Sequence, residues 1–157
     1  DVRTWPQVPG KETKPKELLA RQADPTTKTG IVGAFCRTYG IREAIATFIP
    51  NAYEDTDKED RLTYTGGTTV AGAVLYDDGK FLYSHHATDP CSGLLVNAFD
   101  LVRLHRFGTD DANAKDGTPV NKLPSYQAMK HLAMQDAAVM TDLNMTAAVH
   151  ASDVSSR

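Results

Sequence analysis

Residues 76–108 read YDDGKFLYSHHATDPCSGLLVNAFDLVRLHRFG: the end of a strand, a tight turn, a second strand, a polar loop and a capped helix in succession. Asp77-Asp78-Gly79-Lys80 lies between the apolar runs AVLY and FLYS, and Asp-Gly in that setting is a strong hairpin signal. Strands are therefore predicted at about 71–76 and 80–85. Side chains alternate along a strand, so Phe81 and Tyr83 share one face while Lys80, Leu82 and Ser84 share the other. Asn97 is the predicted N-cap of the following helix, with Asp100 at its third position to complement the helix dipole. Phe99, Leu101, Val102 and Phe107 form its apolar side, Gly108 closes it, and Arg103, His105 and Arg106 make the opposite side basic.

Upstream, Asp24-Pro25 resembles a cap followed by a first-turn proline, and Thr29 offers a second helix start. Ile31, Val32, Phe35, Cys36 and Tyr39 then recur at helical spacing as far as Gly40. Ile41, Ala44, Ile45, Phe48 and Ile49 form a second apolar face that Pro50 ends. Two short helices meeting at a glycine invite a helix-turn-helix reading. The second helix carries only Arg42 as a cation and balances it with Glu43, so a helical hairpin packed on a sheet is the expectation. Residues 51–61 read as a charged, solvated loop without the glycine that a cation-binding loop needs. The glycines of LTYTGGTTVAGAVLY precede no Lys-Ser/Thr, so they suggest a strand, a turn and another strand rather than a phosphate cradle. Downstream, a polar loop at 109–122 leads to a helix from Pro124 or Ser125, with Tyr126, Met129, Leu132 and Ala133 on its apolar side. An alanine- and methionine-rich segment at 137–149 continues it.

The 157 residues predict one α+β domain over 24–150, preceded by a proline-bearing tether at 1–23 and followed by a frayed tail or linker at 151–157. Only the ELLARQ segment of the tether has helical character, and Trp5 is expected to dock onto the body or onto a preceding domain. The expected architecture is a small antiparallel sheet, with the hairpin at about 71–85, against three to four helices. A composition of 41% hydrophobic and 24% charged residues with a formal net charge of −3 excludes binding of nucleic acid by bulk positive charge, leaving only a local basic face. Two cysteines make no disulfide framework and fit a reducing cytoplasm. No apolar run reaches the ~20 residues needed to span a bilayer. The absence of an initial Met suggests a piece of something longer.

His85, His86, Asp89 and Cys91 are all acceptable zinc ligands, and His105 on the next helix could complete a set. Paired ligand knuckles are missing, and adjacent histidines on a strand point opposite ways. A histidine beside an aspartate could also serve as a base, with Cys91 as nucleophile. A turn in which Asp89 caps nearby amides accounts for the same residues without catalysis. No catalytic residue is therefore assigned. The candidate nucleic-acid contacts are Lys80, His85, His86, Arg103 and Arg106.

Three blocks, KTGIVGAFCRTYGIREAIATFIPNAYE, FLYSHHATDPCSGLLVNAFDLVRLHRFG and GTPVNKLPSYQAM, resemble phage and prophage proteins of the virulence-associated E family. That resemblance covers roughly residues 1 to 140. It implies the middle piece of a primase-helicase replication protein acting in the bacterial cytoplasm, with a primase-polymerase region upstream and a helicase-like ATPase downstream. The primase carboxylates and ATPase motifs would lie outside this chain. The order of hairpin, Cys/His segment and helix is also similar to bacterial primase zinc-binding domains, without their cysteine pairs. The resulting expectation is a non-catalytic module that helps to hold single-stranded or primer-template DNA and links the primase and helicase domains, with no obligatory cofactor. The alternatives are a metal-dependent enzyme or zinc-stabilised domain built on His85, His86, Asp89 and Cys91, and a purely structural spacer.

Overall fold

The computed structural model describes residues 13–155, and the reading of Trp5 lies outside them. Among the described residues the fold is α+β, with six α-helices and a five-stranded open sheet. The strands β1 (Tyr53–Asp55), β2 (Arg61–Tyr64), β3 (Ala73–Tyr76), β4 (Phe81–Ser84) and β5 (Leu95–Val96) form an antiparallel meander in chain order. The helices are α1 (Thr13–Ala20), α2 (Gly30–Thr38), α3 (Ile41–Phe48), α4 (Ala98–Phe107), α5 (Pro124–Met134) and α6 (Ala137–Ser155).

The hairpin sits where the Asp-Gly dipeptide predicts it. Asp78 and Gly79 take positive φ values of 55° and 81°, and the Lys80 amide donates to the Asp77 carbonyl at 3.2 Å. That geometry matches the twist of the flanking strands, which pair Tyr76 with Phe81 and Ala73 with Ser84. The turn has a second role, because the Gly79 carbonyl accepts the Ile41 amide at 2.9 Å and so satisfies an orphan donor at the start of α3. Glu43 reaches back to the Gly40 amide at 2.8 Å and satisfies another.

All four residues of β4 are buried. Leu82 pairs with Leu75 on one side and Val96 on the other, and it packs with Leu62 and Ala73 in the main core. The helices meet this layer through Phe35, Ile41, Phe99, Leu101, Val102 and Met129. Phe35 lies at the centre, with ring centroids 5.4 Å from Phe48 and 5.9 Å from Phe99. Burial of such side chains is worth about 1.5–3 kcal/mol each, so this aromatic centre supplies much of the drive to fold.

Three readings change. Residues 51–61 are not wholly a solvated loop: β1 occupies 53–55, with Tyr53 turned into the core and Glu54 and Asp55 outward. The segment from 13 onward is more than a tether, since Pro15 is fully buried and α1 touches β5. Finally, α6 does not continue α5. Asp136 breaks the run by accepting the Ala138 and Val139 amides at 2.9 and 3.2 Å, and α6 then extends to Ser155, through much of the expected tail. Asp24 caps a short 3-10 turn at Pro25–Thr27, and Thr29 precedes α2, as the two helix-start signals predict.

Candidate functional site

The dense stretch after β4 folds inward. Cys91 and Asp89 are held by a turn in which the Asp89 side chain accepts the Cys91 amide at 3.1 Å, and the Asp89 carbonyl accepts the Ser92 amide at 2.9 Å. Helix α4 supplies His105. Ala98, Leu101, Val102 and His105 recur at i, i+3, i+4 and i+7, which sets the imidazole on the buried face of that helix rather than on its basic side. Strand β1 supplies Tyr53.

These four side chains converge. Asp89 Oδ1 lies 3.0 Å from His105 Nε2 and 3.1 Å from Cys91 Sγ, while Asp89 Oδ2 accepts the Tyr53 hydroxyl at 2.5 Å. The Tyr53 hydroxyl is also 2.9 Å from His105 Nε2 and 3.4 Å from Cys91 Sγ. The ligand atoms of Asp89, Cys91 and His105 all lie within 4.8 Å of one another. Cys91 has no exposure and Asp89 retains 4%. Burial pushes the Asp89 carboxyl up, but hydrogen bonds from His105, Tyr53 and Cys91 outweigh it and hold the group well below the usual carboxylate range. Burial, then the neighbouring charges, pushes the Cys91 thiol and the Tyr53 phenol above their ordinary values. A sealed thiol with raised proton affinity is a poor nucleophile, so this arrangement does not supply covalent catalysis through Cys91.

The predicted ligand set His85, His86, Asp89 and Cys91 does not assemble. Asp89 and Cys91 come together with His105, whereas His86 is committed elsewhere. Its Nε2 accepts two backbone amides, from Tyr64 at 3.1 Å and Gly72 at 3.2 Å, which puts the ring proton on Nδ1. Burial lowers the pKa of this histidine, and Nδ1 has no hydrogen-bond partner among the described residues. His85, half-buried, leaves the strand on the Tyr83 side, with ring centroids 4.8 Å apart. Tyr64 stands between the two buried histidines, 6.0 Å from the His86 ring and 5.9 Å from the His105 ring.

The predicted basic face is also divided. Arg103 is turned inward, donating to Asp100 at 3.1 Å and to Ser125 Oγ at 2.9 Å, with Asp111 3.8 Å away. His86 is 1% exposed and so does not belong to a surface. Lys80 pairs with Asp24 at 2.6 Å, tying the hairpin to the turn before α2 and holding the Asp24 carboxyl at about 2. Arg106 is exposed, its guanidinium 5.8 Å from the Phe107 ring. An open groove of about 650 Å³ between α3 and the hairpin is lined by Glu43, Glu59, Asp60 and Asp78 against Arg42 alone, a charge pattern that repels phosphate.

Tyr53 is the site residue that sequence reasoning missed, because it opens the acidic run YEDTDKED, whose charge hides a three-residue strand. No helix among the described residues is long and apolar enough to cross a membrane. No known protein family, curated protein or solved structure matches this chain significantly.

Proposed function

We propose that this chain is a non-catalytic module of a phage-type replication protein, which assists in holding template or primer DNA and links primase and helicase domains. The observation that carries the non-catalytic part is the closure of the Tyr53–Asp89–Cys91–His105 cluster. The chemistry that could have lined a cleft instead ties β1, the turn after β4 and α4 together. The replication context rests on the three sequence blocks that resemble the virulence-associated E family. Of the expected DNA contacts, exposed Arg106 beside Phe107 and half-exposed His85 keep surface that a nucleic acid could reach, which supports this reading. Fluorescence anisotropy with labelled single-stranded and primer-template DNA tests this reading. Binding should weaken steeply with salt and fall on Arg106→Ala. A folded protein that binds neither DNA at low salt leaves only the spacer role.

A second reading is favoured by the convergence itself. Carboxylate, thiolate and imidazole form a donor set that suits zinc, and bonds of about 2.0–2.3 Å would separate neighbouring ligand atoms by about 3.3–3.7 Å, close to the 3.0 and 3.1 Å found here. Asp89 and Cys91 would carry the two negative charges that neutralise a dication, and His105 would bind through Nε2. In so enclosed a place zinc would hold the fold together. Elemental analysis of protein purified without chelator tests this. One zinc per chain and a lower Tm after chelation support it, and a metal-free protein indifferent to chelator removes it.

A further inference from the structure

Whether a metal here is structural or catalytic depends on the fourth coordination position, because structural zinc sites are closed by four protein donors and catalytic ones keep a place for water or substrate. Building on the zinc reading above, we infer that the hydroxyl oxygen of Tyr53 takes that position, so that Tyr53, Asp89, Cys91 and His105 form a closed O, O, S, N donor set for a divalent cation.

The Tyr53 oxygen faces the same space as the other three donors, 2.9 Å from His105 Nε2 and 3.4 Å from Cys91 Sγ. It comes from β1, whereas α4 brings His105 and the turn after β4 brings Asp89 and Cys91. Tyr53 retains 7% of its surface, and the His105 side chain also 7%, which leaves little room for an exchangeable water. The ring of Tyr53 packs against two others, Tyr64 with centroids 5.8 Å apart and His105 at 5.3 Å, which are themselves 5.9 Å apart. Such packing is what holds a donor in register for a metal. The hydrogen bond from the hydroxyl to Asp89 Oδ2 leaves its oxygen lone pairs free to face the cation while Asp89 binds through Oδ1. A cation so held joins the first strand, the turn after the fourth and helix α4, three segments remote in sequence.

Cobalt(II) is the probe, since its visible spectrum reports coordination number and its near-ultraviolet band reports a bound thiolate. The full chain should take up one cobalt ion with a four-coordinate visible spectrum, and azide should leave that spectrum unchanged. Cys91→Ser should abolish the near-ultraviolet band. Tyr53→Phe should retain cobalt but let azide shift the visible bands, because the vacated position admits an exogenous ligand. A wild-type spectrum that azide shifts overturns the assignment of Tyr53 without any variant having to fold, while the metal reading survives. A Tyr53→Phe spectrum identical to wild type and equally indifferent to azide has the same consequence. No cobalt uptake by the wild-type chain, or uptake unaffected by Cys91→Ser and His105→Ala, overturns the metal site and the Tyr53 assignment together.

Discussion

The Tyr53 hydroxyl lies 2.9 Å from Nε2 of His105, so the first strand and helix α4 meet through polar atoms across 52 residues of chain. Both groups also reach Asp89, which accepts from each of them. A buried carboxylate with this many donors is stabilised only while all of them stay in place. Removing the hydroxyl in Tyr53→Phe therefore costs about 1–3 kcal/mol of unfolding free energy, measured by urea denaturation of metal-free protein. A change below about 0.5 kcal/mol indicates that water replaces the hydroxyl freely.

The Cys91 thiol, fully buried and with its proton affinity raised, should resist alkylation by iodoacetamide in the native state and react at the rate of global unfolding. Mass spectrometry of labelled protein in increasing urea checks this. Rapid labelling in native buffer contradicts the sealed site.

His86 clamps the base of the β2–β3 connection by accepting the Tyr64 and Gly72 amides. In His86→Ala both donors lose their partner, a loss of roughly 2–4 kcal/mol. The same clamp gives a pH dependence. The folded state disfavours protonation of His86, so the unfolded chain binds the proton first as pH falls below ~6.5, and stability drops with it. Asp89, whose folded-state pKa is depressed, adds stability that is complete above ~4 and is lost as pH falls further. Urea midpoints at pH 7.5, 5 and 2.5 should decline in two stages, and His86→Ala should flatten the first stage alone.

Gly33 separates packing from helix propensity. It lies inside α2, where alanine would ordinarily stabilise by about 1 kcal/mol. Here a β-carbon would stand 1.7 Å from the Lys28 carbonyl oxygen, a clash with backbone that no rotamer relieves. Gly33→Ala should therefore destabilise by about 1–3 kcal/mol, seen as a lower Tm, and a neutral or stabilising result contradicts the close approach of that turn to the helix.

Arg103 sits among Asp100, Asp111 and Ser125 with 8% of its side chain exposed. Arg103→Met should cost about 2–4 kcal/mol, short of a fully enclosed pair because Asp100 keeps 31% of its side chain in water. Its effect on DNA affinity, measured where the variant remains folded, should be small beside that of Arg106→Ala. The reverse order would place the guanidinium at a binding surface.

The hairpin at 73–84 and helix α4 were legible because each rests on a local rule: a positive-φ turn at Asp78-Gly79 and a side-chain cap, Asn97 accepting the Asp100 amide at 2.9 Å. The division of α5 from α6 was less so, because Asp136 caps the second helix inside a run of alanine and methionine that reads as continuous. Three of the four polar site residues were also legible, since Asp89 and Cys91 stand two residues apart in one turn and His105 was offered to complete their set. Its helical spacing from Ala98, Leu101 and Val102 sets it on the buried face, despite the basic neighbours Arg103 and Arg106.

The periods, caps and turns of this protein, and with them an antiparallel sheet packed with helices, follow from local sequence, because those are contests among neighbours a few residues apart. Which polar side chains meet is set by the packing of the whole fold. Tyr53 joins His105, Asp89 and Cys91, while His86 turns away to hold two backbone amides. The reason is physical: buried polar groups must find partners wherever packing of the apolar core leaves them, and that choice is made across the fold rather than along the chain.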